Sequence, residues 1–314
     1  MTATRVLRGA QALRRPPTCA VVTVGVFDGV HLAHQQVIRS TVRVAQRLHG
    51  TSLALTFDPD PHLVLDPAHA QPSLMPLEVR LSHMRAFGLD RIWVMPFTTR
   101  FARLTAAQFI ERILVGRLHA AALVVGDAFV FGKGRQGDVE MVRTVGARYG
   151  IRVVPVRAVR RNGAPISSSR IRQLMVSGEL SQAGHLLGRP PTLYGDVVRG
   201  AGRGRTLGIP TANLRLTSQT LPPRGVYAVH LQDLRRPRQW RGVMNLGVRP
   251  TFGSGPLVCE VHVLGFSGSL LGCSMAVSLI ARLRAERRFP TPAALIRQVR
   301  RDAMRARVLL ARAT

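Results

Sequence analysis

The segment from Val21 to His34, VVTVGVFDGVHLAH, constrains the fold more than any other part of the chain. Its β-branched residues predict a strand over 21–27 that is buried on both faces. Two glycines then permit a sharp turn, and apolar residues at helical spacing predict a helix over 35–48. The open N–H groups at such a helix start attract anions. Imidazolium groups of His31 and His34 could stabilise phosphate charge there, or the two histidines could simply cap and solvate the turn.

Apolar runs alternate with helical patterns up to residue 187, which predicts a parallel sheet with crossover helices. Ligands of such sheets bind beyond the carboxyl ends of the strands, where His31, the loop 58–62 and the loop 131–138 are expected to converge. Candidate strands lie at 21–27, 52–57, 91–95, 121–126 and 151–156, and candidate helices at 35–48, 78–87, 105–115, 138–148, 169–176 and 179–187.

The pattern changes near Gly188, where short β-like runs separated by Gly, Pro and Arg-rich turns begin. These runs predict an antiparallel barrel or sandwich, followed by a helix from Pro292 to about Ala311. We therefore expect two domains, 1–187 and 188–314, which also suits a length of 314 residues. The candidate strands of the second domain are 193–199, 225–231, 241–246, 257–264 and 274–283.

The apolar runs and the cysteines indicate in which cellular compartment the protein is expected. No apolar run approaches the roughly 20 residues that span a bilayer, and the first residues lack the apolar core of a secretory signal. The three cysteines, Cys19, Cys259 and Cys273, have no CxxC spacing, so neither a disulfide framework nor a zinc site is indicated. We expect a cytoplasmic protein with no membrane partner.

The formal net charge of +29 would attract polyanions. The arginines are scattered through every predicted element, and no aromatic platform or groove-reading motif accompanies them. We interpret the charge as an arginine-biased composition with incidental anion affinity, and expect no specific nucleic-acid partner. The oligomeric state is left open.

Three motifs of the first domain resemble those of bacterial bifunctional riboflavin kinase/FAD synthetases, a branch of the HxGH nucleotidyltransferases. GVFDGVHLAH is similar to GxFDGxHxGH, ISSSRIR to ISSTRIR, and VGDAFVFGKGRQGD to VGxDFxFGxxxxGD. From the residues alone, the serines could be helix caps and the last loop either an anion cradle or an exposed turn. The resemblance implies catalytic roles for His31 and His34, flavin binding by Phe131, and contacts to ATP and its phosphates by Gly25, Asp28, Ser167, Ser168 and Arg170.

The first domain departs from the family pattern at three positions. Ala33 stands where the family has Gly, Asp60 where it has His, and Ala128 where it has a polar residue. A methyl group at Ala33 could crowd the nucleotide, and Ala128 removes a group that the resemblance assigns to flavin binding. One alternative is therefore a riboflavin or flavin-analogue kinase whose first domain has lost its activity.

The second domain contains GAGRGRTLGIPTANL at 200–214, which resembles the GxGRxLGxPTAN signature of riboflavin kinases. GVYAV at 225–229, NLGVRPTF at 245–252 and EVHVLGF at 260–266 follow in the family's order. Alone, the glycine-rich loop would be a flexible turn and Glu260 a solvated strand residue. The resemblance implies that Glu260 is the catalytic base, that Thr211 and Asn213 hold Mg²⁺, that Asn245, Arg249 and Thr251 bind flavin, and that Gly202, Arg203, Gly204, Gly208 and Pro210 bind ATP.

The resemblance implies an α/β HxGH nucleotidyltransferase-like domain followed by a riboflavin-kinase-like antiparallel β-barrel with a terminal helix. Its expected activities are ATP-dependent phosphorylation of riboflavin to FMN and adenylylation of FMN to FAD, with ATP as co-substrate and Mg²⁺ as cofactor. A further alternative from another class is a non-catalytic flavin- or RNA-binding protein, which the positive charge would suit.

Overall fold

The computed structural model describes residues 4–10, 17–200, 209–248 and 257–312 of the chain. The chain divides into two compact units, Met1–Gln71 with Leu77–Ser168, and Pro72–Pro76 with Ser169–Thr314. The short segment 72–76 is held by the second unit, since the Pro72 carbonyl accepts hydrogen bonds from Thr220 Oγ1 at 2.8 Å and from Arg172 Nε at 2.9 Å.

The first unit contains an all-parallel sheet, as the sequence predicts, and the sheet has six strands. Its second strand ends at Val24 instead of residue 27, because Phe27 adopts a left-handed conformation with φ of 57° that no strand can continue. The short first strand was not predicted. The strands are β1 (Arg5–Arg8), β2 (Ala20–Val24), β3 (Thr51–Asp58), β4 (Arg91–Pro96), β5 (Ala120–Gly126) and β6 (Arg152–Val156), and their order across the sheet is β1-β4-β3-β2-β5-β6.

Helices cover both faces of this sheet, which explains why its central strands are apolar throughout. Val22 and Leu123 pack into the core on one face, and Val21 and Val124 pack on the other. The segment predicted as one helix over 105–115 is a short α-helix that continues as a π-helical turn over Ile110–Val115. The helices are α1 (Leu32–Arg47), α2 (Pro61–Leu65), α3 (Leu77–Arg85), α4 (Thr99–Ala102), α5 (Ala106–Phe109) and α6 (Val139–Ala147).

The remaining elements between the sheet and the barrel are short. A two-stranded hairpin of β7 (Arg160–Arg161) and β8 (Ala164–Pro165) precedes two helices, α7 (Ser168–Ser177) and α8 (Leu180–Leu187). Helix α8 ends at Gly188, whose φ of 72° is the left-handed conformation that glycine adopts without strain.

The second unit contains a closed, six-stranded antiparallel barrel, which decides between the barrel and the sandwich. The strands are β9 (Thr192–Val198), β10 (Ala212–Leu216), β11 (Gly225–Asp233), β12 (Gln239–Val248), β13 (Leu257–Val263) and β14 (Ser274–Arg284), and their order around the barrel is β10-β13-β12-β11-β14-β9. Strand β10 was not predicted, because its short sequence ANLRL contains no β-branched or aromatic residue.

A terminal helix, α9 (Pro292–Arg312), packs on the outside of the barrel and confirms the predicted helix. Its Ala306 and Leu310 are fully buried against Val226 and Val243. Within the described ranges, no helix combines the length and apolarity needed to cross a membrane.

Candidate active sites

The turn after β2 places the two predicted histidines at the start of α1. Left-handed backbone at Phe27, Gly29 and Val30, with φ of 57°, 80° and 38°, reverses the chain within a few residues. Helix α1 then begins at Leu32, earlier than predicted, with His31 as its N-cap. The capping interpretation of His31 is therefore correct, and it does not exclude a catalytic role.

The rings of His31 and His34 are stacked, with centroids 3.5 Å apart and planes 17° apart. The backbone N–H of His34 donates to Nδ1 of His31 at 3.3 Å, so His31 carries its ring proton on Nε2. Burial, His31 and Arg80 together lower the pKa of His34 well below 6.5. Its Nδ1 is buried without a hydrogen-bond partner among the described residues. The lowered pKa favours the neutral imidazole at His34, where an imidazolium group was expected.

The structure brings the GVFDGVHLAH and ISSSRIR motifs together. The Oγ of Ser168 donates a hydrogen bond of 2.9 Å to the Asp28 carbonyl, across 140 residues of sequence. Asp28 is only 2% exposed. Ser167 directly precedes α7, and Arg170 lies in its first turn. Gly25, just after β2, donates its N–H to the Leu55 carbonyl at 3.1 Å. Ser168 thus begins its helix beside the turn that ends in the two histidines.

Arg80 is a residue of this site that the sequence analysis missed. It is 5% exposed, and its Nη2 donates to the Phe57 carbonyl at 3.0 Å, at the carboxyl end of β3. Burial lowers its pKa, while the carboxylates of Asp28, Asp60 and Asp58 raise it. Its Nε has no hydrogen-bond partner in the described part of the chain. Asp60, the departure from the family's His, therefore acts as a counter-charge to a buried arginine.

No sequence signal distinguishes Arg80, because a basic residue in a predicted helix is usually solvated. Its position became evident only from the packing of α3 against the turn at Asp28–Val30. The chain thus places a buried positive charge near His34, which helps to keep that imidazole unprotonated.

The loop that contains Phe131 packs this side chain into the hydrophobic core and does not form an anion cradle. Phe131 and Gly137 exchange two backbone hydrogen bonds of 2.9 Å, and the Lys133 N–H donates to the Leu104 carbonyl at 2.8 Å, so these N–H groups are not available to an anion. The Phe131 ring stacks on Phe129 with centroids 5.3 Å apart. The same network of ring contacts extends through Phe109, Phe101, Phe97 and Phe57.

The barrel aligns three predicted site residues in one row. Asn213 of β10 lies opposite Glu260 of β13, and Glu260 lies opposite Asn245 of β12. Directly opposed residues of neighbouring strands share a face, so the carboxylate is flanked by an amide on either side. The alternating residues Met244 and Val261 are fully buried on the other face. Glu260, Asn213 and Asn245 are each partly exposed, as a substrate-binding row requires.

Two further contacts shape the segment that leads into β10. His262 Nδ1 lies 2.9 Å from the Pro210 carbonyl, which fixes the residue before Thr211. A Cβ at Gly200 would overlap the side-chain amide of Asn213, so glycine leaves room for that amide. Neither role was predicted. The site residues Gly202, Arg203, Gly204, Gly208, Arg249 and Thr251 lie outside the described residues.

The donors near Glu260 suit Mg²⁺. Thr211 and Asn213 offer neutral oxygen ligands, and Mg²⁺ prefers oxygen and commonly takes few protein ligands beside substrate phosphates. Among the described residues, no group of three or more His, Cys, Asp or Glu side chains could hold a metal by itself. An ion at this site would therefore depend on the nucleotide for further ligands.

The chain is similar to known proteins over nearly its whole length. It matches the FAD synthetase family over residues 14–170 and the riboflavin kinase family over residues 187–310. It is 35% identical over 304 residues to the bifunctional riboflavin kinase/FMN adenylyltransferase of Escherichia coli strain K12, covering 96% of this chain and 97% of the relative. The protein of the same description from Pseudomonas fluorescens is 36% identical over 308 residues, which cover 98% of each chain.

A solved structure described as a macrolide-efflux protein from Streptococcus pneumoniae has the same fold. It superimposes with a TM-score of 0.85 at 28% identity, covering 98% of this chain and 99% of that one. Both family matches, the full-length relatives and the two sites point the same way: the chain belongs to the bifunctional riboflavin kinase/FMN adenylyltransferase family.

Proposed function

We propose that this chain converts riboflavin to FMN and FMN to FAD at two separate sites, each using one molecule of ATP. The observation that carries the kinase assignment is the row in which Glu260 lies between Asn213 and Asn245. The Ser168 contact beside the stacked histidines supports the adenylyltransferase assignment. Matches to both families favour two activities over the kinase-only and non-catalytic alternatives.

In the kinase reaction, Glu260 accepts the proton of the ribityl hydroxyl of riboflavin. The hydroxyl oxygen then forms a bond to the γ-phosphorus of ATP, the bond from that phosphorus to the β,γ-bridging oxygen breaks, and ADP leaves. Mg²⁺ bound through Thr211 and Asn213 would neutralise phosphate charge. Asn245, beside the base, would orient the flavin together with Arg249 and Thr251. ATP would be bound by the glycine-rich segment, through Gly202, Arg203, Gly204, Gly208 and Pro210.

In the adenylylation, a phosphate oxygen of FMN attacks the α-phosphorus of ATP and pyrophosphate leaves. His31, through its Nε2–H, and His34, as a neutral imidazole, would donate N–H groups to the charge that develops on the phosphates. Arg170 would supply the positive charge. Gly25, Asp28, Ser167 and Ser168 would bind ATP, and Phe131, with the partly exposed Phe129 stacked on it, would pack against the flavin ring.

Domain limits and a cellular location accompany the two proposed activities. The functional domains would be 1–187 and 188–314: the riboflavin kinase match that begins at residue 187 supports this boundary, whereas the compact units divide earlier, between Ser168 and Ser169. We place the protein in the cytoplasm, where its substrates ATP and riboflavin are expected to meet it. A specific nucleic-acid partner is not part of the proposal.

The test is product analysis after incubation of the whole protein with riboflavin and MgATP. Chromatography should show FMN first and FAD later, and supplied FMN should give FAD without riboflavin. FMN without any FAD would remove the adenylyltransferase assignment, and the absence of both products would overturn the proposal.

A further inference from the structure

His262 lies two residues after Glu260 in β13, so both side chains are on the same face of the strand. Its Nδ1 is 2.9 Å from the Pro210 carbonyl, a contact between residues 52 apart in sequence. Because a carbonyl can only accept, Nδ1 carries the proton and donates. His262 therefore connects the strand of the catalytic base to the segment that holds Thr211 and Asn213.

The need for this contact follows from the register of the two strands. Pairing between β10 and β13 begins at Ala212, opposite Val261. Continuing that register would place Thr211 opposite His262, but the ladder has already ended there. Pro210 has no N–H to donate, so its carbonyl is the backbone group through which Pro210 can be held in front of Thr211. The His262 side chain supplies that missing anchor.

We propose that His262 is a positioning residue of the riboflavin kinase site: its Nδ1–H holds the Pro210 carbonyl so that Thr211 lies correctly for MgATP beside Glu260. The proposal rests on the kinase function proposed above. The contact is on the exposed side of the barrel, so its loss should alter local geometry more than global stability. Misplacement of a reacting group by about 1 Å can cost roughly 10²-fold in rate.

The test compares two variants of the whole protein. His262→Leu keeps an apolar body but no donor, whereas His262→Asn keeps an amide N–H near the position of Nδ1. The leucine variant should raise the KM for MgATP about tenfold or more and lower kinase kcat/KM by roughly 10- to 100-fold, with a smaller change in kcat. The asparagine variant should recover most of this loss.

Two controls separate positioning from misfolding. Adenylylation of supplied FMN, measured on the same protein samples, should be unchanged in both variants. Binding of MgADP in the presence of FMN, measured by calorimetry, should weaken about tenfold in His262→Leu and recover in His262→Asn, which is a readout independent of turnover.

Three results would overturn the inference. Kinase kinetics of His262→Leu within twofold of wild type would do so, as would equal impairment of both variants, or a loss of adenylylation parallel to the loss of kinase activity. If instead wild-type protein made no FMN from riboflavin and MgATP, the proposed function itself would fail, so the two failures are distinguishable.

Discussion

Asp302 of α9 is a buried carboxylate whose removal should weaken the second unit. It is 5% exposed and accepts hydrogen bonds from Arg284 Nε at 2.9 Å and from Gln298 Nε2 at 2.8 Å. A charged hydrogen bond contributes about 1.5–3 kcal/mol, and breaking a buried ion pair costs about 3–5 kcal/mol. The Arg284 side chain is 19% exposed and can partly rehydrate. We therefore expect Asp302→Ala to lower the free energy of unfolding by about 3 kcal/mol.

Removal of the Asp302 carboxylate should also destabilise the kinase site. Arg284 lies opposite Val226, which lies opposite Asn245, the neighbour of Glu260 in the row. Scanning calorimetry should show the transition of the second unit lowered by about 6–12 °C, taking about 2–4 °C per kcal/mol for a unit of this size. On heating, kinase activity should be lost before adenylylation of supplied FMN.

Two matched variants test the cause. Asp302→Asn keeps an acceptor but no charge, and should lose about half as much stability as alanine. Asp302→Leu combined with Arg284→Met removes both charges, and should be more stable than the leucine variant alone, because no unpaired guanidinium remains. A loss under about 1 kcal/mol in Asp302→Ala, or strictly additive effects in the double variant, would refute the reasoning.

Three further predictions concern the two sites. Because the pKa of His34 is lowered, the unfolded chain protonates this imidazole below about pH 6.5 while the folded chain does not. The free energy of unfolding should therefore decrease as the pH falls below about 6.5, by up to about 1.4 kcal/mol per pH unit. Urea unfolding at several pH values should show a smaller slope in His34→Asn, and equal slopes would contradict the assignment. Gly200→Ala fits the backbone but displaces the Asn213 amide, so kinase kcat/KM for MgATP should fall about tenfold or more with adenylylation unchanged. Unchanged kinase kinetics would show that the amide position is unimportant. Ala33→Gly should raise adenylylation kcat/KM for ATP about fivefold or more if its methyl crowds the nucleotide, and an unchanged value would exclude that crowding.

Local patterns predicted the parallel sheet well. The strand at Val21, the turn glycines and the helix that follows are encoded in consecutive residues, and helices on both faces account for the unbroken apolar run. The end of that strand was misplaced by three residues, since the left-handed conformation of Phe27 has no composition signal. Strand β10 was missed because its stability comes from pairing with β9 and β13, which lie far away in sequence.

Some site residues could likewise be located from the sequence, whereas others are evident only from tertiary contacts. Motif resemblance located Glu260, Asn213 and Asn245 one by one, but only strand register shows that they form one row. Arg80 and His262 escaped prediction because each acts through a backbone carbonyl distant in sequence, that of Phe57 and that of Pro210. Contacts of this kind depend on tertiary packing, and no periodicity or spacing indicates them.

We propose that the two reactions take place at two independent sites. Glu260→Gln keeps the shape of the row and removes the base, so it should affect only one of the two activities. With riboflavin and MgATP, the variant should form FMN roughly 10²-fold or more slowly than wild type. With FMN and MgATP, it should form FAD at the wild-type rate. Equal loss of both activities, or full retention of FMN formation, would refute the assignment of Glu260 as the base of a separate kinase site.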